Sequence, residues 1–195
     1  MRRAAVVIAL ALVVAACGGD DRELVGFQRE PAPVVSEFEL PDLSNDGESF
    51  ALRAEPGELL LVYFGYTNCP DFCPTTLSDA RLARQRLDDP SQVAVAMVAI
   101  DPDRDLPVLA DYVGGFFPER GHALGTDDPS LLARVAAPFG AQYDVSTNDD
   151  GEIDVAHTTQ LYAIDDAGRI VLTWQFGVSI DDLAGDMAQL LELSA

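Results

Sequence analysis

The sequence predicts an α/β fold, a mixed β-sheet flanked by helices with an N-terminal β-hairpin extension. Three observations carry that expectation. The runs 59–64 and 93–100 are apolar at every position and rich in β-formers, as strands buried on both faces are. Between them Leu77, Ala80, Ala83 and Leu87 recur at helical spacing. Beyond them, two strand patterns at 160–164 and 170–176 are joined by Asp165-Asp166-Ala167-Gly168 and followed by an amphipathic helix over 180–193.

Each segment follows in order. Arg2 and Arg3 precede an apolar stretch, 4–14, that is short for a membrane span, and Ala15-Ala16-Cys17 places small residues before a cysteine. Residues 1–16 therefore read as an export signal. The run resembles a lipobox, which makes Cys17 the lipidated first residue of the mature chain; the alternative is an ordinary secretory signal with an incidental cysteine. Residues 17–35, with Pro31 and Pro33, read as a flexible tether, and 36–195 as a single domain. In that domain, 38–43 and 48–52 flank the turn-formers Ser44-Asn45-Asp46-Gly47 as a hairpin. The first buried strand, 59–64, leads into the cysteine run, and Pro74 suits the first turn of the helix after it. A short helix is expected at 131–139. The order strand, helix, strand, helix, hairpin, helix is the thioredoxin-like arrangement.

Charge narrows the function classes. A formal net charge of -21, with every basic residue an arginine, repels phosphates and anionic headgroups. Nucleic-acid binding and basic attachment to a membrane surface are excluded. The acidity serves solubility, or attracts cations or a basic partner.

Cys69 and Cys73, in Tyr66-Thr67-Asn68-Cys69-Pro70-Asp71-Phe72-Cys73-Pro74-Thr75-Thr76-Leu77, have a spacing that packing alone does not demand. Two thiols four apart on a roughly helical turn can share one soft metal ion or close a disulfide. Flanking Pro70, Asp71 and Pro74 suggest a constrained, exposed turn, and a helix N-terminus there favours thiolate. Small buried hydrophobes or a structural disulfide are the plainer alternatives. Of the two histidines, His122 lies among charges in Glu119-Arg120-Gly121-His122-Ala123 and is expected in a loop facing water. His157 precedes the strand at 160–164, where a thioredoxin-like connection passes the first helix, and is the expected third ligand. Two sulfurs and one imidazole suit Cu(I), and Cu(II) with one further weak oxygen, whereas zinc prefers a fourth strong ligand.

With Asp101-Pro102-Asp103-Arg104-Asp105 and with His157 before Tyr162-Ala163-Ile164-Asp165, this cysteine run resembles the Sco/SenC copper chaperones of cytochrome c oxidase assembly. The resemblance spans about 38–193. It implies a thioredoxin-like fold, copper bound by Cys69, Cys73 and His157, and an outward-facing domain tethered to the cytoplasmic membrane. It also implies delivery of the metal toward the CuA centre of oxidase subunit II, with an unnamed copper donor and thiol reductant as further partners. Asn68 stands where relatives often have a histidine, and asparagine is a poor ligand for soft metals. Asp101 to Asp105 reads as a solvated loop, or as support or docking surface for the site.

Two other classes compete. A thiol-disulfide reductase, keeping the oxidase's copper-site cysteines reduced, would need the pair and be indifferent to His157. A peroxiredoxin-type peroxidase typically needs threonine or serine three residues before its cysteine, where this chain has Tyr66 and Pro70. Thioredoxin-like oxidoreductases usually carry a cis-proline opposite the active site, and no proline follows Pro138.

Overall fold

The computed structural model describes residues 22–194; the signal segment 1–16 and Cys17 lie outside them. In chain order the elements are β1 (Glu39–Asp42), β2 (Glu48–Ala51), β3 (Leu59–Gly65), α1 (Phe72–Arg84), β4 (Val93–Ala99), α2 (Pro102–Asp105) and α3 (Leu109–Phe116). There follow β5 (Gly121–Leu124), α4 (Pro129–Phe139), β6 (Tyr143–Thr147), β7 (Ile153–His157), β8 (Leu161–Ile164), β9 (Ile170–Trp174) and α5 (Ile180–Ser194). Seven strands form one mixed sheet in the order β2-β1-β5-β4-β3-β8-β9, while β6 and β7 pair apart from it. The pairs β3 with β4 and β4 with β5 are parallel, and β3 with β8 and β8 with β9 are antiparallel.

The alternation of β3 explains the layers. Leu59, Leu61 and Tyr63 face one side and pack with Leu77 and Ala80 of α1, Val113 of α3 and Met187 of α5. Leu60, Val62 and Phe64 face the other and pack with Leu132, Val135 and Phe139 of α4. Both faces are covered, which is why the run is apolar throughout; each fully buried Leu or Val contributes about 1.5–3 kcal/mol. The turn between β8 and β9 requires Gly168, whose φ is +72° and whose missing Cβ would lie 2.5 Å from Ser36 Cβ.

The expected fold class is the observed one, with five elements added. The sequence reading does not include α3, β5, β6 or β7, and Pro102–Asp105, read there as part of a loop, forms the short helix α2. The expectation of a flexible tether over 17–35 is also corrected in its described part. Phe27 and Thr173 exchange backbone hydrogen bonds of 2.9 and 3.0 Å, Ile170 N–H donates to Pro33 O at 2.9 Å, and Val35 is fully buried. Asp186, buried in α5, accepts from Trp174 Nε1 at 2.8 Å, from Gly26 N at 2.9 Å and from Val25 N at 3.1 Å, and pairs with Arg22. This strap binds because β9 is the outermost strand and presents unpaired backbone groups.

Candidate metal centre

The site is built where β3 ends. Gly65 closes that strand because a Cβ there would stand 2.7 Å from Tyr63 Cε1 and 3.1 Å from Cys73 Sγ. The chain then turns through residues 66–71 and enters α1, whose second residue is Cys73. Asp71 holds the N-cap position without a side-chain hydrogen bond to the helix. The first-turn amides are left seeking an acceptor. Cys69 Sγ supplies one, taking the Cys73 N–H at 3.3 Å, so the first cysteine acts as cap of the helix that carries the second.

His157 arrives from the separate hairpin. It ends β7, opposite Tyr143 of β6, so its side chain is placed by the hairpin register. Its Nδ1 lies 2.7 Å from Thr158 O. A carbonyl can only accept, so Nδ1 carries the proton and Nε2 keeps its lone pair free. That Nε2 is 3.8 Å from Cys73 Sγ. The rings of Tyr66 and Tyr63 meet the imidazole in T-shaped contacts at centroid distances of 5.6 and 6.1 Å. The ligand atoms of Cys69, Cys73 and His157 all lie within 4.8 Å of one another, the one such cluster among the described residues. Donors sharing one ion, with bonds of about 2.0–2.3 Å, stand roughly 3.3–4 Å apart.

Burial splits the two thiols. Burial pushes Cys69 upward, but hydrogen bonds from the Cys73 and Asp71 amides outweigh it and hold the thiol below its ordinary range. Cys73 is fully buried, and burial pushes it up to about 12. Tyr63 Oη, 3.6 Å from Cys73 Sγ, is itself driven far up by burial and then by that neighbour. Burial lowers His157 against the opposing backbone bonds, which favours the neutral imidazole a metal requires.

The three expected ligands are thus brought together, with three corrections to the sequence reading. The turn is exposed at Asn68, Pro70, Asp71 and Phe72, yet Cys69 is 7% exposed and Cys73 not at all. The cysteines point inward because β3 delivers them against Tyr63. His122 is neither in a loop nor facing water. It lies in β5, half-buried, with Nδ1 2.8 Å from Asp42 Oδ2 and its ring 4.2 Å from that of Phe50. Asp101 and Asp105, in the supposed solvated cluster, are buried. Sequence reading missed Tyr63 and Thr158 as site residues. The position of Tyr63 on the α1 face of β3 could have found the first, whereas the Thr158 carbonyl carries no side-chain signal.

Fold and site define a class: a thioredoxin-like domain with a Cys-Cys-His cluster at the end of its sheet. Residues 27–192 match the SCO1/SenC family profile, and the chain belongs to that family. The SCO2-like protein of Rickettsia prowazekii is 31% identical over 154 residues, covering 75% of this chain and 71% of its own. Among solved structures, apo Sco1 from Thermus thermophilus superposes with a TM-score of 0.69 at 29% identity, over 90% of this chain and 99% of that one. Copper-bound ScoI of Bradyrhizobium japonicum gives 0.65 at 28% identity, over 78% and 96%.

Proposed function

We propose that this protein is an extracytoplasmic copper carrier. Cys69, Cys73 and His157 take one copper ion as cargo, Cu(I) or Cu(II), and pass it toward the CuA centre of cytochrome c oxidase subunit II. The observation that carries this reading is the convergence of two sulfurs and one free imidazole nitrogen within 4.8 Å. That donor set fits Cu(I) as it stands. Copper bound by the Bradyrhizobium relative supports the same choice of metal.

The residues divide the work. Cys69, its thiol held low by helix amides, offers thiolate first. Cys73 must surrender a proton that burial retains, so loading the site releases acid to solvent. His157 needs no proton loss, because its Nε2 is already free. Copper supplies the charge that makes the buried Cys73 thiolate tolerable.

A second reading draws on the same asymmetry. A low thiol beside a buried, protonated one suits attack on a partner disulfide. The Cys69 thiolate attacks one partner sulfur, breaking the partner S–S bond, releasing the other sulfur as thiolate and forming the mixed disulfide. Cys73 then gives up its proton, attacks Cys69 Sγ and releases the second partner thiolate, so two electrons pass from the pair to the partner. Both cysteines are free in this structure. Formation of a Cys69 to Cys73 disulfide would consume both sulfur ligands. Fully oxidised protein should therefore bind no Cu(I), and reduction should restore one ion per chain, read by competition with a chromophoric Cu(I) chelator. Equal stoichiometry in both states would overturn the ligand assignment.

A further inference from the structure

The three donors stand on three supports. Cys73 belongs to α1 and His157 to β7, whereas Cys69 rides on the loop between β3 and α1. Within that loop Cys69 N–H donates to Tyr66 O at 3.3 Å, a long bond for a segment that must place a sulfur. The loop is gripped from outside at Thr67. Asp105, the last residue of α2, accepts from Thr67 N at 2.8 Å and from Thr67 Oγ1 at 2.7 Å, both through Oδ1. Asp105 is 0% exposed, and its other oxygen, Oδ2, is buried without a partner.

Burying a carboxylate is costly, and leaving one of its oxygens unpaired adds to the cost. A residue serving only the fold would gain more as an apolar side chain of similar size. Both of its side-chain hydrogen bonds go to a single residue, and that residue stands two positions before the loop ligand. We propose that Asp105 is a positioning residue of the metal centre: it clamps Thr67 and through it fixes where Cys69 Sγ stands relative to Cys73 and His157. The inference rests on the copper-site reading and adds to it the group that orients the loop-borne member of the ligand set. The clamp works on both atoms of Thr67 at once, so the loop cannot rotate about that residue without losing both bonds. Asp105 is itself held, its N–H donating to Asp101 O at 2.9 Å across the first turn after β4. The rigidity of the sheet is thereby carried to the ligand.

Three variants of the full-length protein test this, each measured twice. Competition titration with Cu(I) reads affinity, and timed alkylation of the reduced, metal-free protein with iodoacetamide, resolved by peptide mass, reads Cys69 and Cys73 separately. Asp105→Ala removes the clamp and should weaken Cu(I) binding about 10–100-fold. Thr67→Val removes the hydroxyl bond alone, keeps the amide bond and should weaken it about fivefold. Asp105→Asn keeps an oxygen acceptor at Oδ1 and should stay close to wild type. In the first two variants Cys69 should alkylate faster while Cys73 remains protected, the sign that the loop has moved and the fold has not. Wild-type affinity and wild-type Cys69 reactivity in Thr67→Val would overturn the proposal, whatever Asp105→Ala does. Equal gains in reactivity at Cys69 and Cys73 would also overturn it, leaving Asp105 a structural residue only. The alkylation arm contains no metal, so a failure of the copper reading, seen as undiminished Cu(I) binding by Cys73→Ser, is distinguished from a failure of the clamp.

Discussion

Cys69 receives the amide of Cys73 at its sulfur, while Cys73 is sealed against Tyr63, and the two thiols consequently differ in when they lose a proton. The spacing of the pair and the candidacy of His157 were legible in the sequence, since both are matters of residue type and order. The asymmetry was not, because it depends on which face of β3 meets α1 and on how deeply Cys73 is buried. It has a measurable result. Cys73 is raised to about 12, so at neutral pH each ion loaded displaces its proton, and affinity for Cu(I) should rise by about tenfold per pH unit for each proton released. The sign is fixed by the direction of the shift: below the raised value the proton competes, and the competition fades as pH climbs. Cu(I) competition titrations at several pH values between neutrality and pH 9 should give a slope between one and two protons. A flat profile would contradict the assignment of Cys73 as a thiolate ligand.

Among the elements, those with a strong period were readable and those with a mixed pattern were not. β3 and β4 are continuous apolar runs, and α1 and α5 carry clear stripes. β5 is four residues containing Gly121 and His122, α3 contains Gly114 and Gly115, and β6 and β7 are five residues each and mostly exposed. Local propensity argues against β5 and α3, and tertiary pairing overrides it. β6 and β7 do hold β-formers, Tyr143, Val145, Thr147, Ile153 and Val155, but these short strands pair only with each other and bury no apolar run of the kind that marks β3 and β4. The strap was missed for a similar reason: its prolines suggest a linker, and the partner that orders it, Asp186, lies far along the chain. Asp186→Ala strips the buried Trp174 indole and two strap amides of their acceptor and should cost about 2–4 kcal/mol. Urea unfolding monitored by tryptophan fluorescence checks this, with Trp174 as the chain's single reporter. A loss below 1 kcal/mol would indicate that the strap contributes little to the fold.

At the scale of the whole molecule, the described residues include no helix long and apolar enough to cross a membrane. The expected membrane attachment lies in the segment ahead of the strap, at Cys17. The expected outcome is a diacylglyceryl group on Cys17, holding the protein on the outer face of the bacterial cytoplasmic membrane. Mass spectrometry of the mature N-terminus tests it; an unmodified N-terminus elsewhere, or an intact Met1 segment in the membrane fraction, contradicts it. The strongly acidic chain argues that attachment does not rely on attraction to anionic lipids.

His157 separates a copper carrier from a thiol reductase, because only the carrier needs its imidazole. His157→Ala should leave the fold and the Cys69 to Cys73 disulfide chemistry close to wild type, since the residue is half-buried at a hairpin end. Cu(II), which needs nitrogen or oxygen donors, should be affected more than Cu(I), which two thiolates alone can hold. The most direct measurement is Cu(II) titration of the reduced protein followed by electronic absorption, wild type beside His157→Ala. Copper carriage by the Cys-Cys-His site predicts a saturable sulfur-to-copper charge-transfer band at one ion per chain in the wild type, displaced or lost in the variant. An unchanged spectrum and stoichiometry in His157→Ala would contradict it and give the lead to thiol reduction.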